Sequence, residues 1–247
     1  MVYTDKHVKP LKRKAYGSIP HLPDSRLGSG DHFCSQGQAR IATEKVRDRH
    51  DFVVVTEKLD GSNVAIAKVN GIIYPLVRTG YVADTSPYRQ HHMFAAWVYE
   101  RQDLWLSVID EGGWLSGEWL AMAHGTRYDL VNAEFPCPFV PFDLWRGGER
   151  VLWLEFRAWC DASIVSEGIR DAMPLHAGYQ ACSIETAMAN QRAKWHGALD
   201  PLEGAVWRVE RSEKVDFLCK YVRKDKVDGC YLSSVTGNSD VWNWGVE

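Results

Sequence analysis

At 247 residues, 45% apolar and 25% charged, the chain has the composition of a globular protein, long enough to bury a full core as one domain. No apolar run approaches the roughly 20 residues a membrane span needs, and no apolar segment backs the positive charges near the N-terminus, so a cytoplasmic protein with no membrane partner is expected. A formal net charge of −3 excludes a protein that coats nucleic acid by bulk electrostatics.

In chain order, residues 17–38 (GSIPHLPDSRLGSGDHFCSQGQ) hold neither helical nor strand period and are expected to form a long ordered loop, a feature that tends to be functional in a compact domain. Strands begin at Phe52-Val53-Val54-Val55. Two further β-rich runs flank Asn70-Gly71, a dipeptide that tolerates positive φ at both turn positions, so residues 63–78 are predicted to form an antiparallel hairpin. Ser86-Pro87 reads as an N-cap and first helical residue, opening one helix over roughly 88–106 with Phe94, Trp97, Val98, Leu104 and Trp105 on its apolar stripe. WLSGEWL (114–120) and FVPFDLW (139–145) read as aromatic strands, 181–196 as a second helix, and GAVWRVE (204–210) with FLCKYV (217–222) as a late strand pair. Strands outnumber helices without alternating with them, which favours an α+β fold with mainly antiparallel sheets flanked by helices.

The remaining composition is quiet. Six cysteines show no CxxC pair and no zinc-finger histidine spacing, and are read as reduced, mostly buried thiols. Most of the 11 tryptophans are expected in the core or its rim. Basic clusters at Lys9, Lys12, Arg13 and Lys14, and at Lys220, Arg223, Lys224 and Lys226, are usually solvated faces, although each also suits a local anion site.

Chemistry is narrowed first by absence, because the sequence has no GxxxxGK[ST], no GxGxxG, no GxSxG and no HExxH. What stands out is Lys58-Leu59-Asp60-Gly61 directly after the hydrophobic run, a strand end where a lysine can be held rigidly and partly desolvated, as a nucleophile requires. Alone, KxDG is a weak signal. It is followed in order by Arg78-Thr79-Gly80, Ser116-Gly117-Glu118-Trp119, Val140-Pro141-Phe142-Asp143, Glu203-Gly204-Ala205-Val206 and Lys220-Tyr221-Val222-Arg223.

From about residue 52 to 224 this ordered set resembles the covalent nucleotidyltransferase superfamily of ATP-dependent DNA and RNA ligases and mRNA capping enzymes, and most of all the RNA ligase branch. The resemblance implies an ATP-grasp-like nucleotidyltransferase fold, a single adenylation domain over 1–247 whose first 50 residues are an extension, and ATP with Mg²⁺ or Mn²⁺ as cofactors. It implies that Lys58 attacks the α-phosphate to give lysyl-AMP, that the AMP passes to an RNA 5′-phosphate, and that a 3′-hydroxyl then closes the bond. An unperturbed lysine is neutral in only about one molecule in 2,500 at pH 7, so the site is expected to keep the amine uncharged by burial and nearby cations, a bound Mg²⁺ the strongest of them.

By the same resemblance, Glu118 bonds the ribose hydroxyls, Phe142 stacks on the adenine, Glu57 contacts the base, and Gly61 belongs to the nucleotide-binding turn. Glu203 is the metal ligand, with Asp60 holding either a hydrated metal or the turn. Lys220 neutralises the α-phosphate, with either Arg223 or Lys224 as a second cation, since KYVRKDK departs from the common KxK pattern. Asn63 and Arg78 match residues that act on polynucleotide ends, Asn63 fitting a turn role equally well. Only 27 residues follow Lys220, too few for the OB or helical domain of similar ligases, so extra nucleic-acid contacts are expected from residues before 50 or from a partner protein. The other readings of this set are a DNA nick ligase, a capping guanylyltransferase and a non-catalytic nucleotide- or RNA-binding module.

Overall fold

The computed structural model describes residues 8–245; residues 1–7 and 246–247 of the expected extension and tail lie outside the described residues. Two antiparallel sheets form the scaffold. The first has strand order β7-β1-β8-β9, built from β1 (Phe52–Lys58), β7 (Pro174–Gly178), β8 (Gly204–Arg211) and β9 (Lys214–Val222). The second has order β3-β2-β4-β5-β6, from β2 (Ser62–Val69), β3 (Ile72–Val77), β4 (Trp114–Trp119), β5 (Phe139–Arg146) and β6 (Glu149–Arg150). The chain crosses from one sheet to the other in the three residues Leu59-Asp60-Gly61, and this places Lys58 at their junction.

Burial explains each sheet. Val53, Val54 and Val55 are all covered, as a central strand with both faces packed requires. Val53 and Val55 pack with Met173, Trp207 and Val209 under the helix α1 (Gln36–Thr43), which contributes Ala39 and Ala42. In the second sheet Val64, Ile66 and Leu115 meet Phe94, Trp97 and Val98 of α2 (Arg89–Tyr99) and Trp105 of α3 (Gln102–Val108). Trp105, Trp119 and Trp207 are fully buried, so these tryptophans serve packing as expected. The Asn70-Gly71 turn has φ of 53° and 71°, the double positive φ its hairpin needs.

Three expectations require correction. The single helix over 88–106 is two, broken at Glu100-Arg101, because Trp97 and Trp105 must turn toward one another and toward Phe139 within one core. Ser86 is not its N-cap; Tyr88 is, and the Ser86 hydroxyl accepts instead from the Tyr88 amide and meets His91 Nδ1 at 2.7 Å. The helix expected over 181–196 shortens to α5 (Ile184–Ala189), capped by Ser183, because the chain turns at Asn190, whose amide bonds the Leu175 carbonyl.

The expected loop 17–38 ends early, at the capping box of Ser35 and Gln38 that opens α1. β7 and the helix α4 (Trp153–Ser163) were not anticipated from the sequence. All six cysteines are free thiols, and four of them are buried. Among the described residues no helix is long and apolar enough to cross a membrane.

Candidate active site

The site begins with the turn after β1. Leu59 is buried with Leu120, Tyr128 and Val140, and the Tyr128 hydroxyl accepts the Asp60 amide at 3.0 Å, which fixes the turn from below. A Cβ on Gly61 would lie 2.4 Å from the Trp119 carbonyl oxygen, so only glycine lets β2 close onto β4 here. That closure pairs Ser62 with Trp119 and Asn63 with Glu118, and the Gly61 amide donates to Glu118 Oε1 at 3.1 Å. On the other sheet Lys58 pairs with Gly204, and Val206 with Lys220. The register of five strands thus gathers residues from distant segments.

Lys58 Nζ lies 2.6 Å from Glu203 Oε2. Burial alone would lower the amine's pKa, but the charges of Glu203, Glu118 and Asp60 outweigh it and hold the amine above its ordinary value. Without a bound metal Lys58 is thus charged, its ammonium facing the carboxyl groups of Glu203, Glu118 and Asp60. Burial shows on the carboxyl groups in turn. Burial, reinforced by Glu203, pushes Glu118 up to about 8 despite Lys58, and burial likewise raises Glu203. Burial and the Lys58 charge both lower Lys220.

A cavity of about 1040 Å³ opens over this cluster, and Glu57, Lys58, Gly61, Asn63, Arg78, Glu118, Phe142 and Lys220 all line it. Glu203 joins through its contact with Lys58. Asn63 Oδ1 is buried without a hydrogen-bond partner, an acceptor left for a ligand donor. Phe142 is held edge-on by Tyr16 at 5.1 Å between centroids. Arg78 is exposed and donates to Gly17 O and Ser18 Oγ. Glu57 is buried, and Met173 N at 2.8 Å and His196 Nε2 at 3.1 Å both meet its Oε1, so part of its carboxylate serves the fold.

Both candidates for the second cation are drawn elsewhere. Arg223 donates to the carbonyls of Leu202 and Pro201 and pairs with Asp225, and Lys224 pairs with Asp24 at the surface. Lys226, only 3% exposed, comes in instead and pairs with Asp60, whose Oδ2 also accepts the Gly125 amide at 2.9 Å. Among the described residues no group of three or more His, Cys, Asp or Glu side chains forms a ready metal cage.

The family model for RNA ligases, described as "RNA ligase", matches residues 51–222, well over half of the chain. The chain belongs to the RNA ligase family. No curated protein matches it. Among solved structures, Naegleria gruberi RNA ligase with PPi is 17% identical with a TM-score of 0.51, over 71% of this chain and 50% of that one. Mutants of the same enzyme with ATP and Mn and with AMP and Mn are 13% and 14% identical, each with a TM-score of 0.50 over 85% of this chain and 61% of theirs. These likenesses are of fold, and agree with the nucleotidyltransferase architecture expected. The chain spans only half to about three fifths of those solved chains.

Within this RNA ligase family chain, two features escaped the sequence reading. Lys226 was one member of a basic cluster with nothing local to mark it as buried. The 17–34 segment was marked only as a long loop, yet His21 forms backbone bridges to both Phe33 and Lys220. Its side chain lies 3.0 Å from Asp31, and Asp31 lies 3.5 Å from Lys220.

Proposed function

We propose that this chain is an ATP-dependent RNA ligase that uses Lys58 to form lysyl-AMP, passes the AMP to an RNA 5′-phosphate and seals it to a 3′-hydroxyl. The observation that carries this reading is that Lys58, Glu118 and Lys220, from three separate strands, line one cavity, with Glu203, from the start of a fourth, bonded to Lys58. A module that only bound nucleotide has no need of a half-buried lysine held against a buried glutamate. The PPi, ATP and AMP with Mn of the solved Naegleria gruberi ligase structures support ATP and a divalent metal as the cofactors here.

In this reading Phe142 offers an aromatic face to the adenine. Glu118 accepts the ribose hydroxyls, and Glu57, through the oxygen not committed to Met173, reaches the base. Lys220, a fixed and half-desolvated cation, meets the charge that builds on the α-phosphate. Asn63 and Arg78, on the hairpin side of the cavity, address the RNA ends, where a guanidinium grips phosphate with two parallel hydrogen bonds.

The residues present fit Mg²⁺ or Mn²⁺. Mg²⁺ takes one or two carboxylates plus substrate phosphates rather than an all-protein cage, and Glu203, whose pKa burial raises in spite of Lys58, is such a carboxylate. Asp60 would assist only through its turn or a water, because Lys226 and Gly125 already hold its Oδ2. A divalent cation bound at Glu203 supplies positive charge beside Nζ, which favours the neutral amine and shields the triphosphate. The protein's own contribution is to hold Nζ, Lys220 and the ligand in line. Cytoplasmic residence and a partner protein or domain that adds nucleic-acid contacts complete the proposal.

The test is strand joining: protein, Mg²⁺ and ATP with 5′-phosphorylated RNA and a 3′-hydroxyl acceptor. Joined RNA that requires ATP and the 5′-phosphate is the expected result. Preference for nicked DNA would make the chain a DNA ligase. A covalent adduct with GTP alone would make it a guanylyltransferase, and ATP binding with neither adduct nor joining would make it a binding module.

A further inference from the structure

Segment 17–34 completes the first sheet and builds a relay onto one side chain. β9 is the edge strand of that sheet, and the segment runs along it: Lys220 N donates to Pro20 O at 2.9 Å, Leu22 N to Lys220 O at 2.8 Å, and Arg26 N to Val222 O at 2.9 Å. The segment is itself doubled, His21 N donating to His32 O and Cys34 N to His21 O. An exposed strand edge is thereby closed, with Lys220 in the middle of the covered stretch.

The side chains continue the connection. Val222 N donates to Ser25 Oγ at 2.9 Å, and Ser25 Oγ lies 2.7 Å from His21 Nδ1. His21 Nε2 lies 3.0 Å from Asp31 Oδ2, and Asp31 Oδ1 lies 3.5 Å from Lys220 Nζ. With Ser25 as donor, Nδ1 is the acceptor and Nε2 carries the proton; it faces Asp31 at contact distance but outside hydrogen-bond geometry in the ligand-free protein. His21 is 1% exposed, and burial together with the nearby Lys220 and Lys58 charges lowers its pKa in spite of Asp31, so the neutral ring is the resting form. Asp31 is lowered in turn; its burial works against this, and the Gly28 amide and Lys220 overcome it. The carboxylate that holds Lys220 thus accepts the Gly28 amide at 3.1 Å and stands against a buried imidazole.

We propose that His21 and Asp31 are positioning residues for Lys220: Asp31 holds the ammonium in place in the ligand-free protein and keeps one of its N–H groups when the others turn to the α-phosphate of ATP. The proposal rests on the reading of Lys220 as the phosphate-facing cation. It makes the N-terminal segment part of the nucleotide site. Asp31 costs ATP some affinity, because the phosphate must share the ammonium with another anion, and returns the loss as alignment in the transition state.

Two measurements separate these effects. In the Lys58→Ala background, where no adduct forms, Asp31→Asn is expected to tighten Mg-ATP binding by about fivefold, the worth of one partly exposed ion pair; unchanged or weaker binding overturns the proposal. With Lys58 present, single-turnover adenylylation at saturating ATP is expected to slow by about tenfold or more in Asp31→Asn and in His21→Leu, as for a misplaced catalytic group. His21→Gln, which keeps an N–H donor toward Asp31, is expected to restore most of the rate. Equal loss in the Gln and Leu variants, with equal melting temperatures, overturns it. If His21→Leu does not fold, Asp31→Asn decides the matter by the opposed movement of affinity and rate. A wild-type protein that forms no adduct would remove the ligase reading, while the binding measurement would still decide whether Asp31 competes with phosphate for Lys220.

Discussion

The buried pair of Lys226 and Asp60 gives a stability prediction that can be worked from the structure. Lys226 is 3% exposed; its Nζ meets Asp60 Oδ2 and, at 3.3 Å, Thr126 Oγ1. Asp60 keeps only the Gly125 amide if Lys226 is replaced by Met. Removing one partner of a buried pair leaves an uncompensated charge and costs about 3–5 kcal/mol. In a chain of this length each kcal/mol moves the melting temperature by about 2–4 °C, so Lys226→Met is expected to melt roughly 10 °C below wild type. Asp60→Asn in the same chain removes the orphaned charge and is expected to recover most of the loss. Urea denaturation of the wild type, both single variants and the double variant closes the cycle. Additive single effects would refute the reasoning, since they would mean that the two side chains do not sense one another.

The turn and the carboxylate cluster yield two more outcomes. Gly61→Ala puts a methyl 2.4 Å from the Trp119 carbonyl oxygen, so β2 must shift on β4; a loss of about 1–3 kcal/mol in stability should accompany a loss of about 100-fold in adenylylation, read by denaturation and single-turnover kinetics. For Glu118 the folded pKa of about 8 exceeds the ordinary 4.5, so the stability of its protonated form is full below pH 4.5 and is lost as pH rises through 8. Glu118→Gln should remove that loss, worth up to about 4 kcal/mol at pH 8, and raise the melting temperature of the ligand-free protein there but not at pH 4, while weakening ATP binding. Melting curves at the two pH values check the sign; equal shifts at both would contradict it.

Much of this was legible in the chain because the signals were local. The Asn70-Gly71 hairpin, the strands at 114–119 and 139–146, and the late pair β8 and β9 each carry their own period or turn chemistry. Lys58, Glu118, Glu203 and Lys220 stand in or beside those strands, but it is the resemblance of the ordered motifs, not a strand order, that groups them in the sequence. The helix break at Glu100-Arg101 was invisible because the apolar stripe runs through it; the break exists to let Trp97 and Trp105 share one core. Lys226 meets Asp60 across 166 residues, and no local pattern distinguishes it from Arg223 or Lys224. The charge that Lys58 carries without a metal is not legible for a similar reason: burial is foreseeable, but the summed field of Glu203, Glu118 and Asp60 depends on where strands from both sheets end.

The central claim is that Nζ of Lys58 becomes bonded to the phosphorus of AMP. Intact-protein mass spectrometry after incubation with ATP and Mg²⁺, followed by peptide mapping, measures this directly. The account predicts a mass gain of one adenylyl group located on Lys58, reversed by pyrophosphate and absent in Lys58→Ala. An unmodified protein under conditions where ATP demonstrably binds, or an adduct that persists in Lys58→Ala, would contradict it.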